Sequence, residues 1–231
     1  MNYVTDDYLN NYLRTVQPHY DGVLGEIEKE SRAADVPIIP HETARLLSVL
    51  LTLKKPKNIL EIGTAVGFSS GLMTRYLEEG GTVTTIDRFE VMLKDARKNI
   101  KRMGLEDKIK ILEGDAADIL PELSGPYDVI FLDAAKGQYS AFLPHCIRLL
   151  NIGGLLIVDD VLQGGDIAKT RFAVPRRKRI HKRLKNFLWD ISHTDVLTSS
   201  IVPIGDGLAV CVKVKEPNSP IEFSNKESKD E

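Results

Sequence analysis

The sequence predicts an α/β fold, a mostly parallel sheet with helices on both faces. Three observations carry that reading. From Asn58 onward, short apolar runs alternate with helical patterns, which is how parallel strands joined by right-handed crossovers look along a chain. The stretch Asn58 to Ser70, N-I-L-E-I-G-T-A-V-G-F-S-S, passes from a buried strand into a helix through a glycine loop, and such turns hold ligands at the carboxyl ends of the strands. The last two apolar runs are joined by Gly205-Asp206-Gly207, which is hairpin chemistry and makes at least one terminal strand antiparallel.

In chain order, residues 3–32 read as two short helices broken at Pro18, the first with Leu9, Tyr12, Leu13 and Val16 at helical spacing, the second running through Val23, Leu24 and Ile27. Helices placed before a sheet cover it, roof the site or meet a second subunit, and the sequence does not choose among these. Pro37 and Pro40 end that pattern. Leu46, Leu47, Leu50 and Leu51 give the next helix, Thr43–Lys54, its apolar face. Strands are expected at Asn58–Ile62, Thr82–Ile86, Ile109–Glu113, Tyr127–Leu132 and Leu155–Val158. Helices fill the gaps at Phe68–Leu77, Val91–Met103, Ala116–Leu123 and Tyr139–Leu150. After a last long helix, Leu197–Val202 and Leu208–Val214 form the terminal strands. The chain divides into a helical extension over 1–36, one catalytic domain over 37–214 and a polar, disordered tail over 215–231. A chain of 231 residues with 42% hydrophobic content can bury one substantial core.

The glycine loop narrows the ligand. Gly63 and Gly67 are spaced G-x-x-x-G, so the dinucleotide fingerprint fails, and no Gly-Lys-Ser/Thr follows to make a phosphate loop. Glu61, at the strand end, repels phosphate and suits a cationic ligand such as an ammonium or a sulfonium. Asp87 ends the next apolar run, where an acid takes both hydroxyls of a ribose. A cationic nucleoside satisfies both carboxylates; a plain tight turn with Glu61 capping a helix is the other reading.

Asp133 closes the fourth strand and Asp159 and Asp160 the fifth, and neighbouring parallel strands bring those ends to one edge of the sheet. Three carboxylates there repel one another unless a cation sits between them. Oxygen ligands favour Mg²⁺ over Zn²⁺, with Mn²⁺ and Ca²⁺ also suited. The residues alone leave open an aspartate that caps a helix beside another that faces solvent.

L-E-I-G-T-A-V-G-F-S-S, then T-I-D, then G-D-A at Gly114 to Ala116 and F-L-D-A-A-K at Phe131 to Lys136, together resemble the class I S-adenosylmethionine-dependent methyltransferases. More narrowly, they resemble the metal-dependent O-methyltransferases of the catechol and caffeoyl-CoA type, over about residues 37–214. The resemblance implies a Rossmann-like seven-stranded sheet with an antiparallel hairpin strand, and a homodimer. It implies S-adenosylmethionine contacts at Ile39, Glu61, Gly63, Ser69, Ser70, Asp87, Asp115, Ala116 and Asp133. It makes Asp133, Asp159 and Asp160 the metal ligands, with Asp160 standing where relatives often have Asn, and Lys136 the general base. Methyl transfer from a sulfonium needs an oxygen nucleophile, and a Mg²⁺ that binds it and a neighbouring oxygen lowers its pKa and orients it.

One segment departs from a small-molecule enzyme. Between Asp166 and Asp190 there is no acid, while Lys169, Arg171, Arg176, Arg177, Lys178, Arg179, Lys182, Arg183 and Lys185 crowd together. Ile180, Leu184, Phe187, Leu188 and Ile191 share one helical face, so the cations form a ridge on the other. Such a ridge suits phosphate contacts. The V-P-R-R-K-R segment, H-T-D and P-I-G-D-G-L-A-V resemble the bacterial tRNA 5-hydroxyuridine methyltransferases, which implies the anticodon stem-loop as partner and the wobble uridine as substrate. A catechol-like or hydroxycinnamoyl small molecule is the alternative. Net charge of −2 makes no case for nucleic acid beyond that ridge. Cys146 and Cys211 read as buried small hydrophobes, and with no signal peptide or membrane-length apolar run the expected setting is the cytoplasm.

Overall fold

The computed structural model describes residues 7–168 and 175–218, with the side chains of Asp7 and of residues 175–178 excluded. Arg171, and all of the expected tail beyond 218, lie outside the described residues. The elements run α1 (Asp7–Val16), α2 (Gly22–Ala33), α3 (His41–Lys54), β1 (Asn58–Ile62), α4 (Phe68–Thr74), β2 (Thr82–Asp87), α5 (Glu90–Met103), β3 (Ile109–Glu113) and α6 (Ala116–Glu122). They continue through β4 (Tyr127–Leu132), a 3-10 turn (Lys136–Gln138), α7 (Tyr139–Leu149), β5 (Leu150–Val158), a second 3-10 segment (Gln163–Ala168), α8 (Pro175–His193), β6 (Leu197–Val202) and β7 (Leu208–Lys213).

The seven strands form one sheet in the order β3-β2-β1-β4-β5-β7-β6. β1 to β5 are parallel, with Leu60 opposite both Thr84 and Ile130, while β7 runs antiparallel between β5 and β6. The expected mixed methyltransferase sheet is therefore what forms. Strand order reverses between β1 and β4, and that reversal opens a crevice beyond their carboxyl ends.

Two-residue periodicity sorts the core. Leu60, Ile62, Ile130, Leu132, Leu156 and Val158 face a layer built from α6, α7 and α8, where they meet Phe142, Leu184 and Phe187. Ile59, Val83, Val129, Phe131 and Ile157 face the opposite layer, where they meet Leu24, Leu47, Phe68 and Leu72. Strands buried on both faces read as continuous apolar runs, and each fully buried Leu, Ile or Phe contributes roughly 1.5–3 kcal/mol.

The N-terminal helices cover the second layer: α1 packs on α3, and α2 on α4 and α5. Two ion clusters fasten them. Arg14 forks onto Glu42 through Nε and Nη2, both at 3.0 Å. Glu28 accepts from Arg32 and lies 3.2 Å from His41 Nδ1, while Arg32 also donates to the carbonyl of Ile39. The segment leading into α3 is thereby tied to α2.

Element ends differ from the sequence reading in places with clear causes. α4 stops at Thr74 rather than Leu77 because the N–H groups of Arg75 and Tyr76 turn to carbonyls three residues back. β5 begins at Leu150 rather than Leu155 because Leu150 pairs with Tyr127 across an irregularity in the ladder. Cys146 and Cys211 are buried free thiols, as expected. No helix among the described residues is long and apolar enough to cross a membrane.

Candidate active site

At the strand-order reversal lies a cavity of about 590 Å³. Its floor is the glycine loop after β1. Gly63 donates to the carbonyl of Ile86, and Asp133 donates to that of Ile62, so the β1 and β4 ends are locked in register. At Gly63 φ is +113°, and a Cβ there would fall 1.9 Å from the Asp133 carbonyl oxygen. Only glycine allows that approach.

Asp87 organises the next wall. Its Oδ2 accepts from the N–H groups of Thr64 and Ala65 at 3.1 and 2.9 Å, and its Oδ1 accepts from Phe89 N–H at 3.0 Å. One carboxylate thus ties the β1 loop to the β2 loop while still facing the cavity. Asp115 caps α6 through Ala117 N–H at 2.9 Å and takes Arg88 Nη1 at 2.6 Å, and these contacts hold its carboxyl below the usual range, the backbone bond first. Asp115 thus caps α6 and at the same time lines the cavity beside Ala116.

Of the expected cofactor residues, Ile39, Gly63, Ser69, Asp87, Asp115, Ala116 and Asp133 line this cavity. Glu61 and Ser70 do not. Glu61 is fully buried behind the loop, where Ser69 Oγ donates to its Oε1 at 2.5 Å, and Ser70 Oγ and Thr85 Oγ1 donate to its Oε2. Of the expected cofactor contacts these two stand behind the wall: Glu61 is linked to the cavity through Ser69, which lines it, and Ser70 holds the glutamate from behind. Burial pushes the Glu61 carboxyl up to about 7 against the pull of its three hydroxyl donors.

The sequence reading missed several wall residues, among them Ile38, Arg88, Phe89, Met92 and Gln138. Phe89 is 60% exposed and lies under the Arg88 guanidinium, 5.2 Å from it. No sequence pattern marks Phe89, whose exposure only the folded chain shows. A flat apolar wall beside a ribose-type acid suits a purine ring.

The acid cluster opens at the far end. Asp133 belongs both to the cavity wall and to this cluster. Desolvation, reinforced by Asp160 and opposed by Lys136, pushes its carboxyl up to about 7. Asp159 is buried, accepts from Asp160 N–H at 2.8 Å, and is held well above the carboxylate range by burial and then by Asp133 and Asp160. Lys136, carried by the 3-10 turn after β4, pairs with Asp160 Oδ2. Tyr139 Oη donates to the Asp159 carbonyl at 3.1 Å and so fixes the strand end.

A fourth acid joins from the β6–β7 hairpin. Asp206, read from sequence only as turn chemistry, has its carboxyl raised by burial and then by Asp160, within hydrogen-bonding reach of it, and accepts from Gly164 N–H. Its Oδ1 is buried without a hydrogen-bond partner. The turn is anchored by Leu162 N–H to the Asp206 carbonyl and Val161 N–H to that of Gly207. Four mutually repelling, oxygen-only groups with an orphaned acceptor fit a hard divalent cation.

Among the described residues, His19, Glu28 and His41 form the one group whose ligand atoms all lie within 4.8 Å of one another. Its glutamate is committed to Arg32 and His41. Asp133, Asp159 and Asp160 spread wider than that, yet Asp160 still pushes the Asp133 carboxyl up, and Asp133 and Asp160 both push up that of Asp159.

α8 buries Leu184, Phe187 and Ile191 and half-buries Ile180 and Leu188, as its apolar stripe requires. Arg179, Arg183 and Lys185 are exposed and Lys182 is half-buried. The side chains of Arg176, Arg177 and Lys178 lie outside the described residues. Arg183 Nη1 donates to the Gly137 carbonyl at 3.0 Å, which ties the helix to the turn that carries Lys136.

Comparison with known proteins agrees with this geometry. The sequence pattern of the O-methyltransferase family matches residues 22–214. A catechol O-methyltransferase of Niastella koreensis is 33% identical over 174 residues, covering 72% of this chain and 78% of its own. A caffeoyl-CoA O-methyltransferase of Stellaria longipes is 29% identical over 180 residues, covering 74% and 73%. A Bacillus cereus O-methyltransferase solved in complex with SAH superposes with a TM-score of 0.77 at 27% identity, covering 89% of this chain and 97% of that one. With its sheet order, its glycine loop and a family match over most of its length, this chain belongs to the S-adenosylmethionine-dependent O-methyltransferases.

Proposed function

We propose that this enzyme transfers the methyl group of S-adenosylmethionine to a hydroxyl that stands beside a second oxygen on a flat ring, with Mg²⁺ as its metal. The observation that carries the proposal is the double membership of Asp133, in the cofactor cavity and in the acid cluster. Methyl donor and acceptor oxygen then meet at one strand end. Asp87 would take the ribose hydroxyls, Phe89 would cover the base, and Asp133, Asp159 and Asp160 would hold the cation, with Asp206 behind Asp160. When bound, the cation lowers the pKa of the hydroxyl and orients it. The hydroxyl oxygen forms its bond to the methyl carbon as the carbon–sulfur bond breaks, the electron pair goes to sulfur, and Lys136, which must first release its own ammonium proton to solvent, takes the hydroxyl proton. A homodimer in the cytoplasm completes the reading, with the exposed Tyr8, Tyr12 and Val16 of α1 offering a face to a second copy.

The names of the relatives support a catechol-like or hydroxycinnamoyl small molecule as acceptor. A second reading is favoured by the charge of α8 and by the Arg183 contact beside Lys136: 5-hydroxyuridine at the wobble position of a tRNA anticodon stem-loop, whose 5-hydroxyl stands next to O4 as the two oxygens of a catechol do. Transfer of labelled methyl to a catechol and, separately, to tRNA carrying 5-hydroxyuridine tests both. Labelling of catechol alone keeps the small-molecule reading, strong labelling of the tRNA selects the second, and no labelling of either rejects the proposal.

A further inference from the structure

The single tryptophan of the chain is out of place for a core-forming residue. Trp189 lies on α8 and is 61% exposed. Its ring is stacked on that of His193, with centroids 3.6 Å apart and planes 12° from parallel. His193 Nδ1 donates to the Trp189 carbonyl at 2.9 Å, so the lower ring is held in place. A shallow hollow beside the pair is floored by Ile167 and Leu188 and edged by Lys185. The outcome is a rigid aromatic shelf facing solvent.

The stripe of α8 that carries the shelf has one sign of charge, and the exposed acid just beyond His193, Asp195, is paired with Lys215. Lys182, Lys185 and Trp189 follow one another at helical spacings of three and four, so they share a stripe. Asp190, the nearest acid in sequence, is buried on the inner side of the helix. No other acid occurs back to Asp166, although the chain as a whole is slightly acidic. A flat exposed ring flanked by cations matches a partner that presents both phosphates and unpaired bases. Duplexes hide their base faces, and acidic proteins and membranes offer none.

We propose that the outer stripe of α8 is a docking surface for single-stranded RNA, on which Trp189, backed by His193, stacks an unpaired base while Lys185 and Lys182 meet phosphates. This deepens the RNA reading of the site and rests on it for its biological substrate. The surface lies at the C-terminal half of α8, beyond the residue, Arg183, through which the helix touches the turn that carries Lys136.

Because Trp189 is the only tryptophan, intrinsic fluorescence of the full-length protein reads the shelf directly. Titration with a short oligouridylate should quench the emission, with an affinity that falls steeply as salt rises. RNA duplex of equal length and inorganic polyphosphate should bind with little quenching. In anisotropy with a labelled oligouridylate, Trp189→Ala should weaken binding about 5- to 150-fold, the range of one stacked base, and Trp189→Phe should restore most of it. Binding of oligouridylate without quenching, equal quenching by polyphosphate, or unchanged affinity in Trp189→Ala would overturn the proposal. So would emission that shifts with protein concentration alone, which would assign the shelf to a second copy of the chain. Methyl transfer to catechol should be the same in Trp189→Ala and the parent. Quenching by oligouridylate without methylation of 5-hydroxyuridine tRNA would keep the surface and reject the RNA substrate reading.

Discussion

The ammonium of Lys136 is paired with the carboxylate of Asp160, across the gap between the ends of β4 and β5. The lysine is thus the cation of the acid cluster as it stands. Two roles are open to it: balancing Asp160 as the ammonium or, once it has lost its own proton, accepting that of the substrate hydroxyl. Lys136→Met should lower kcat by about 10²- to 10⁴-fold with little change in the KM for S-adenosylmethionine, the size expected for a lost general base. Lys136→Arg preserves the charge but cannot give up its proton. Steady-state kinetics of both variants decide the matter: recovery in Lys136→Arg would leave the lysine only a balancing charge.

Asp206 should show itself in metal affinity rather than in folding. Groups that support metal ligands typically contribute 10- to 100-fold in affinity. Asp206→Asn should therefore weaken Mn²⁺ binding by about that factor, followed through the free-ion electron paramagnetic resonance signal, while the thermal midpoint without metal holds or rises as one repelling charge is removed. An unchanged Mn²⁺ isotherm would remove Asp206 from the site.

Gly63→Ala tests the floor of the cavity. Its new methyl would meet the Asp133 carbonyl at 1.9 Å from a backbone with φ of +113°, so both sterics and conformation oppose it. We expect a loss of about 2 kcal/mol or more in denaturant unfolding, with calorimetric binding of S-adenosylhomocysteine lost or much weakened. A variant of parental stability and affinity would show that the β1–β4 junction yields more than the packing indicates.

Glu61 makes stability depend on pH. Its carboxyl titrates at about 7 in the folded chain, against 4.5 ordinarily. Between those values the folded state keeps a proton that the unfolded state has lost, so stability falls as pH rises through the window, by roughly 3 kcal/mol for a shift of this size. Glu61→Gln should make that part of the profile shallower by its own share, leaving the share of Asp133, whose carboxyl is also pushed up to about 7. Urea unfolding from pH 4.5 to 8 with EDTA present measures it, and an identical slope in the variant would place the titration elsewhere.

Much of this was legible in the sequence for identifiable reasons. β1, β3, β4 and β6 begin and end where the sequence reading put them. The edge strands β3 and β6 are largely exposed or half-exposed and are bounded by polar and turn residues, while β1 and β4 are buried on both faces and read as continuous apolar runs. Asp87, Asp133 and Asp159 could be placed because each ends such a run. Glu61 also ends one, yet lies behind the wall, since a strand end does not say whether a side chain meets the ligand or the hydroxyls of the next helix. Asp206 stayed hidden because its partner, Asp160, is 46 positions away and its own Gly-Asp-Gly setting already explains a turn. Phe89 and Trp189 carry no periodic signal, and only their exposure in the folded chain sets them apart.

The central claim is that transfer needs two adjacent oxygens and a divalent cation held by the aspartates. It is tested most directly by comparing methyl transfer to catechol and to phenol, with Mg²⁺ and with EDTA, in the parent and in Asp159→Ala. The account predicts transfer to catechol only, abolished by EDTA, restored by excess Mg²⁺ and absent in Asp159→Ala. Comparable transfer to phenol, or transfer to catechol that survives both EDTA and Asp159→Ala, would contradict it.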